Sequence, residues 1–202
     1  MTEKDTYKTI SKPSKGELFK DKNSKFYSYA LPVNNEDQIK TYLEAVKKEH
    51  YSARHWCYAY QLSMETIRYR INDDGEPSNS AGMPIYGQIK SFDLTNILII
   101  VVRYYGGTKL GMGGLINAYR TSARLALETA DIIERTINRH FQLSFEYKYM
   151  SKVIRVLKEN QVDIINQTLE HNCLLEISVR KSNGSKILGI FKDFFGVKID
   201  EL

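Results

Sequence analysis

The sequence predicts an α+β protein of two domains. Three observations lead there: glycines gathered between the longest apolar run and a helical pattern, a restart of patterning near Ile133, and a βαββαβ order after that restart. The predicted domains span residues 1–133 and 134–202, both within the usual domain size range.

The elements follow from local pattern. Gly16–Phe19 and Lys25–Pro32 read as strands around the turn residues Asp21-Lys22-Asn23-Ser24. From Glu36 to His50, the apolar Ile39, Leu43 and Val46 recur at helical spacing, with Asn34 or Asn35 as the cap. Cys57–Leu62 and Thr66–Ile71 are rich in Tyr, Ile and Thr and read as strands, ended by Asp74-Gly75. Ser80 suits the cap of a short helix running through Gln88, with Pro84 in its first turn. Asn96–Tyr105 (NILIIVVRYY) is the strongest strand signal, because a continuous β-branched run predicts a central strand buried on both faces. A helix then runs from about Gly113 to Ala130, with Leu115, Ala118, Tyr119, Ser122 and Ala126 along one face.

In the second domain, Asn138–Lys148, Val162–Glu170, Cys173–Lys181 and Val197–Leu202 read as strands, and Ser151–Asn160 and Ser185–Phe195 as helices.

Composition limits the function classes. With 42% hydrophobic and 26% charged residues, the chain is neither disordered nor collagen-like. Its longest apolar run, Ile97–Val102, falls far short of a membrane helix, and Met1–Lys25 is polar and Lys-rich, so a cytoplasmic protein is expected. Cys57 and Cys173 are too few for a disulfide framework or an all-Cys zinc site, and both read as reduced thiols. The net charge of +5 divides evenly along the chain: 19 basic and 16 acidic residues stand up to Arg135, 10 and 8 after it. There is no polyanion-binding tail.

Eight of the 12 glycines lie between Gly75 and Gly114. RYYGGTKLGMGGLINAY, from Arg103 to Tyr119, joins a buried strand to a helix, where glycine-rich backbone can present amide groups to an anion. Arg103 and Lys109 add charge there, and Arg120 and Arg124 would extend a basic face. A Walker A loop is absent, because Met112-Gly113 follows Gly111. The dinucleotide fingerprint fails at Ile116. Two readings stand: a generic anion site built on Gly106, Gly107, Gly111, Gly113 and Gly114, or glycines that serve only a tight turn and close packing.

The acidic turn Asn72–Gly82 carries Asp73, Asp74 and Glu76. It lacks the spacing of a calcium loop, and turn and cap roles for Asp74-Gly75, Ser78 and Ser80 outweigh a hard-cation site. His50, His55 and Cys57, like His171 and Cys173, match no zinc signature. His55 and Cys57 share one strand face while Trp56 points away, and a buried thiol beside a hydrogen-bonded imidazole is the expectation. No metal or cofactor is expected.

The strings His55-Trp56-Cys57-Tyr58-Ala59, Asn72–Ser78 with Ala81-Gly82-Met83-Pro84, and Val102–Leu115 with Ala118-Tyr119 resemble the IMPACT/YigZ family over roughly residues 15 to 130. The resemblance implies an N-terminal domain folded like the second domain of a small-subunit ribosomal protein, an architecture shared with GHMP-type kinases. It implies a C-terminal ferredoxin-like domain similar to an elongation-factor module. Eukaryotic members of the family regulate translation, and proposals for bacterial members centre on nucleic-acid or ribosome binding. Where the family often has Gly-Thr after Ser78, this chain has Asn79-Ser80.

These readings lead to a non-enzymatic regulator of translation or stress response that binds RNA, the ribosome or a translation-associated protein. The expected anion or partner site is Arg103, Gly106, Gly107, Lys109, Gly111, Gly113, Gly114, Arg120 and Arg124. A motif cleft is expected from His55, Cys57, Asp73, Asp74, Glu76, Ser78 and Tyr119. The rival is a small-molecule enzyme in which these carboxylates hold Mg2+ and the loop amides hold a phosphate. Exposed tyrosines on an adaptor surface form a third reading.

Overall fold

The computed structural model describes residues 5–63 and 66–202; Met1–Lys4 and Met64–Glu65, which fall within the expected N-terminal segment and beside an expected strand, lie outside the described residues. The chain divides into two compact units, Tyr7–Arg135 and Thr136–Leu202, the second joined by Asp5–Thr6.

In chain order the first unit contains β1 (Thr6–Ile10), β2 (Ser14–Lys15), β3 (Phe19–Asp21), β4 (Ser24–Pro32), α1 (Glu36–Glu49), β5 (His55–Leu62), β6 (Arg68–Asn72), α2 (Gly82–Ser91), β7 (Ile97–Tyr104), α3 (Gly111–Glu128) and β8 (Ile132–Thr136). β1 and β8 form a separate two-stranded sheet. The main sheet runs β2-β4-β7-β5-β6, with β3 also on β4, and every pairing within it is antiparallel.

β7 is the central strand that its apolar run predicts. Ile97 to Val102 are fully buried, and each aliphatic side chain withdrawn from water contributes roughly 1.5–3 kcal/mol. Alternation sends Leu98, Ile100 and Val102 toward α1, with Tyr29, Leu31, Ile39 and Val46. Ile97, Ile99 and Val101 face the opposite layer, formed by α2 and α3. The predicted face of α3 is buried throughout, from Leu115 to Ala126. On α1, Ile39 and Val46 are buried and Asn35 caps the first turn by accepting from Gln38 N–H.

Several boundaries differ from the sequence reading. The first strand pattern splits into β2 and β3, because Gly16 runs against Ser28 and the α3 backbone, where a Cβ would stand 2.7 Å from Ala126 N. β6 starts at Arg68 rather than Thr66. Ser80 does not cap α2: its hydroxyl donates to the Pro77 carbonyl, and Ala81 occupies the cap position. α3 starts two residues earlier than expected, at Gly111.

The second unit contains β9 (Asn138–Glu146), α4 (Met150–Glu159), β10 (Asp163–Thr168), β11 (Asn172–Arg180), α5 (Lys181–Lys192) and β12 (Val197–Glu201). This is the βαββαβ order read from the sequence, on an antiparallel sheet ordered β10-β11-β9-β12. Phe141, Leu143, Phe145, Cys173, Leu175 and Ile177 pack with Val153 and Leu157 of α4 and Ile187 and Phe191 of α5. α5 begins four residues earlier than the pattern suggested. Among the described residues no helix is long and apolar enough to cross a membrane.

Candidate anion-binding pocket beside the acidic turn

Three neighbouring strands place one row of side chains beneath the site. The register pairs Phe26 with Arg103 and His55 with Arg103, so these three lie side by side on the face toward α2 and α3. Arg103 is the only charged residue in β7, and only 5% of its side chain is exposed. A guanidinium buried so deeply needs a counter-ion.

The acidic turn supplies it. Glu76, whose side chain is 4% exposed, accepts from Arg103 Nη1 at 2.7 Å and from the Tyr119 hydroxyl at 2.7 Å. The turn is itself tied down by its other carboxylates. Asp73 Oδ1 accepts from the N–H groups of Ala81 and Gly82 at the start of α2, and Oδ2 accepts from Asn79 N–H. Asp73 therefore performs the capping that the sequence reading assigned to Ser80. Asp74 Oδ2 accepts from Trp56 N–H at 2.7 Å. The Asp74 carbonyl accepts from His55 Nδ1 at 2.8 Å, which fixes the imidazole proton on Nδ1 and leaves Nε2 3.9 Å from Glu76.

Below this layer, Cys57 Sγ lies 3.0 Å from the Asp73 carbonyl and 3.3 Å from the Tyr119 hydroxyl. Burial pushes the Cys57 thiol far above its ordinary pKa, and it does the same to the Tyr119 phenol, with the nearby Cys57 and Glu76 adding to it. Both stay protonated at neutral pH. A neutral, enclosed thiol is not a nucleophile. His55, Cys57, Asp73, Asp74, Glu76 and Tyr119 thus do come together, as a network that fixes the acidic turn onto the sheet. Ser78 is exposed in that turn.

The acidic turn and the glycine loop meet in one pocket. It has a volume of about 300 Å³ and is bounded by Glu76 and Pro77 from the turn, Arg103 and Tyr105 from the end of β7, and Lys109 to Met112 with Leu115 from the loop and α3. Arg103 keeps one buried donor, Nε, without a partner among the described residues. Its guanidinium lies 5.6 Å and 5.4 Å from the ring centres of Phe26 and Tyr105. The N-terminus of the 18-residue helix α3 opens here. Among the described residues no side chain caps it, and its first turn holds no acid, so its leading N–H groups lack a side-chain acceptor.

The glycines divide by role. A Cβ on Gly106 would stand 2.1 Å from the Asn23 carbonyl carbon, so this residue is needed for contact with the β3–β4 turn, where Ser24 Oγ accepts from Gly106 N–H. Gly107 and Gly111 have φ of +85° and +74°. Gly113 is exposed with no heavy atom within 4 Å of where a Cβ would stand, so packing within the chain does not explain it. Gly114 lies against Leu110. Close approach thus accounts for Gly106 and positive φ for Gly107 and Gly111, whereas packing does not account for Gly113.

Two expectations are corrected. Arg103 is not a free cation for an anion, because its charge faces Glu76; Lys109 is the exposed cation of the pocket. Arg120 and Arg124 do not line it: Arg120 borders a separate hollow beside α2, and Arg124 pairs with Glu128 at 3.7 Å. Sequence reasoning missed Ser24, which also accepts from Arg103 Nη2, and the apolar wall of Leu110, Met112 and Leu115. A lone arginine ending a fully apolar strand signals a buried partner, although not which of three nearby acids it is.

The pattern of the Impact N-terminal domain matches residues 22–127, the stretch that carries every residue of this pocket. The chain belongs to the IMPACT family. It is similar to the IMPACT family member YvyE of Bacillus subtilis (strain 168), with 34% identity over 156 residues, 77% of this chain and 71% of that one. The IMPACT family member YigZ of Escherichia coli (strain K12) is 29% identical over 175 residues, 86% of each chain. The eukaryotic Protein IMPACT-B of Xenopus tropicalis matches more locally, 32% over 101 residues, covering 48% of this chain and 31% of its own length. A crystal structure described only as that of a hypothetical protein aligns with a TM-score of 0.75 at 26% identity and covers 98% of both chains. This IMPACT-family chain therefore shares its fold with a solved protein over 98% of its length.

Proposed function

We propose that this IMPACT-family protein acts in translation or its stress response without catalysing a reaction, by binding phosphate groups of RNA or of the ribosome in the pocket beside the acidic turn. The observation that carries this reading is the uncapped α3 N-terminus opening beside exposed Lys109. The apolar wall of Leu110, Met112 and Leu115 gives the anion a low-dielectric setting, which strengthens each contact to it. The carboxylate commitments weigh against the Mg2+-dependent enzyme. Asp73, Asp74 and Glu76 already accept hydrogen bonds from protein donors, and among the described residues no three His, Cys, Asp or Glu side chains gather as a metal site would require.

The family resemblance supports the translational context and a cytoplasmic location. Two finer fold readings go with it. The βαββαβ order with sheet order β10-β11-β9-β12 supports a ferredoxin-like C-terminal unit. An antiparallel sheet carrying α2 and α3 on one face supports the ribosomal-protein-like, GHMP-related reading of the N-terminal unit.

Filter binding to RNA and to ribosomes tests the function. Binding is expected at low salt, falling steeply as salt rises. Lys109→Ala should weaken it and reduce the salt slope by about one. Absence of binding at low salt, or full affinity in the Lys109→Ala variant, would refute the proposal.

A further inference from the structure

A second cavity, sharing no residue with the glycine-loop pocket, lies between β1, the start of α1 and Arg135; its volume is about 590 Å³. That is ample for a small organic ligand. Its walls differ in kind from the first pocket: amides, hydroxyls and two tyrosines predominate, with Ile10 and Pro32 as the aliphatic part and Asp37 and Arg135 as the charged residues.

The internal hydrogen bonds fix which ends of those groups are already engaged. Asn35 Oδ1 accepts from Gln38 N–H, Gln38 Oε1 accepts from Asn34 N–H, and Asn96 Oδ1 accepts from Ser63 N–H. With the three oxygens engaged, the three NH2 groups are left as donors. The hydroxyls have the opposite polarity. Thr9 donates to the Asn96 carbonyl, Ser11 to Asp131 and Thr41 to the Asp37 carbonyl, which leaves their lone pairs as acceptors. The cavity therefore offers fixed donors and fixed acceptors together.

Two aromatic rings, Tyr7 and Tyr42, also line it, and neither hydroxyl has a partner among the described residues. At the rim, Arg135 is exposed and has no ion pair among the described residues, while Asp37 faces Lys40 at 3.2 Å.

We propose that this cavity binds a ribonucleotide. A base carries donors and acceptors on one planar edge and a face that stacks on tyrosine, the ribose hydroxyls match the mixed lining, and Arg135 takes the phosphate. A neutral sugar would leave Arg135 unused; an inorganic anion would leave the amides and rings unused. The ribonucleotide has two sources, a free mononucleotide or one unit of single-stranded RNA.

Titration calorimetry on the full chain with AMP, GMP, CMP and UMP, with the matching nucleosides, and with a short mixed-sequence single-stranded RNA tests this. Saturable binding of a monophosphate identifies a free nucleotide; binding confined to the oligomer identifies an RNA unit. In either case Arg135→Ala, at an exposed position, should weaken binding about tenfold or more while leaving nucleoside binding unchanged. Gln38→Glu keeps the oxygen that accepts from Asn34 but replaces the remaining donor with an acceptor, and should cost about as much. Mononucleotide affinity lost in Lys109→Ala but kept in Arg135→Ala would place the nucleotide in the glycine-loop pocket and overturn this assignment. Failure of every monophosphate and of the RNA to bind, or binding that both cavity substitutions retain, overturns the proposal.

Discussion

Replacing Arg103 by alanine should strongly destabilise the N-terminal unit, because Arg103 holds the acidic turn to the sheet. The substitution leaves Glu76, 4% exposed, as a buried charge without its counter-ion. Breaking one side of such a pair costs about 3–5 kcal/mol. The lost Nη2 bond to Ser24 and the contacts to Phe26 and Tyr105 add about 1 kcal/mol, part of it already counted in the broken pair. A loss of about 4 kcal/mol is a large share of the roughly 5–15 kcal/mol typical of a domain. The single tryptophan, Trp56, lies in β5, so its fluorescence reports on this unit alone. With a urea dependence of about 2 kcal/mol per molar, the midpoint should fall by about 2 M. Replacing both partners with apolar residues, Arg103→Met with Glu76→Leu, should recover most of that loss. If Arg103→Ala moves the midpoint by less than about 0.5 M, the pair is not what fixes the turn, and the reasoning from burial to counter-ion fails.

Other outcomes follow from the same geometry. Asp73→Ala removes three acceptor contacts at the start of α2 and should cost about 2 kcal/mol by the Trp56 urea assay. Gly106→Ala should be severely destabilising, since its Cβ meets immovable backbone of the β3–β4 turn, whereas Gly113→Ala should gain about 0.5–1 kcal/mol; thermal unfolding of the two side by side checks the contrast. In the C-terminal unit, the bonds from Arg180 hold the Asp5 carboxyl down to about 2, from 3.8. Because its folded pKa is depressed, the stabilisation is full above pH 4 and disappears as pH falls toward 2. Amide exchange in β11 should therefore lose protection over that window in the native chain, and Asp5→Asn should abolish this pH dependence.

Much of this architecture is legible in the residues, and the illegible parts have physical causes. The β7 run and the α3 face could be read directly, because continuous and 3.6-residue apolar patterns each have one stable burial. The βαββαβ order could be read for the same reason. Caps were harder: Ser80 has the right chemistry and position for α2, but Asp73, nine residues before Gly82, reaches the same N–H groups through a turn whose path the sequence does not reveal. Arg103 and Lys109 looked alike as loop cations. What separates them is one register pairing, which sets Arg103 under Glu76 and leaves Lys109 in solvent. The cavity lined by Tyr7, Gln38 and Arg135 had no signal at all, since it draws on segments up to 128 positions apart and on no motif.

The central claim, that the opening of α3 receives an anion, is tested most directly by Met112→Glu. Met112 lines the pocket in the first turn of α3 and is 51% exposed, so a glutamate fits there without repacking. At a helix N-terminus its charge should leave stability unchanged or raise it by about 0.3–1 kcal/mol. The same charge sits where the ligand phosphate belongs. The account predicts that RNA or ribosome binding at low salt collapses while the unfolding midpoint holds or rises. Retained affinity in a Met112→Glu protein of intact stability would contradict it.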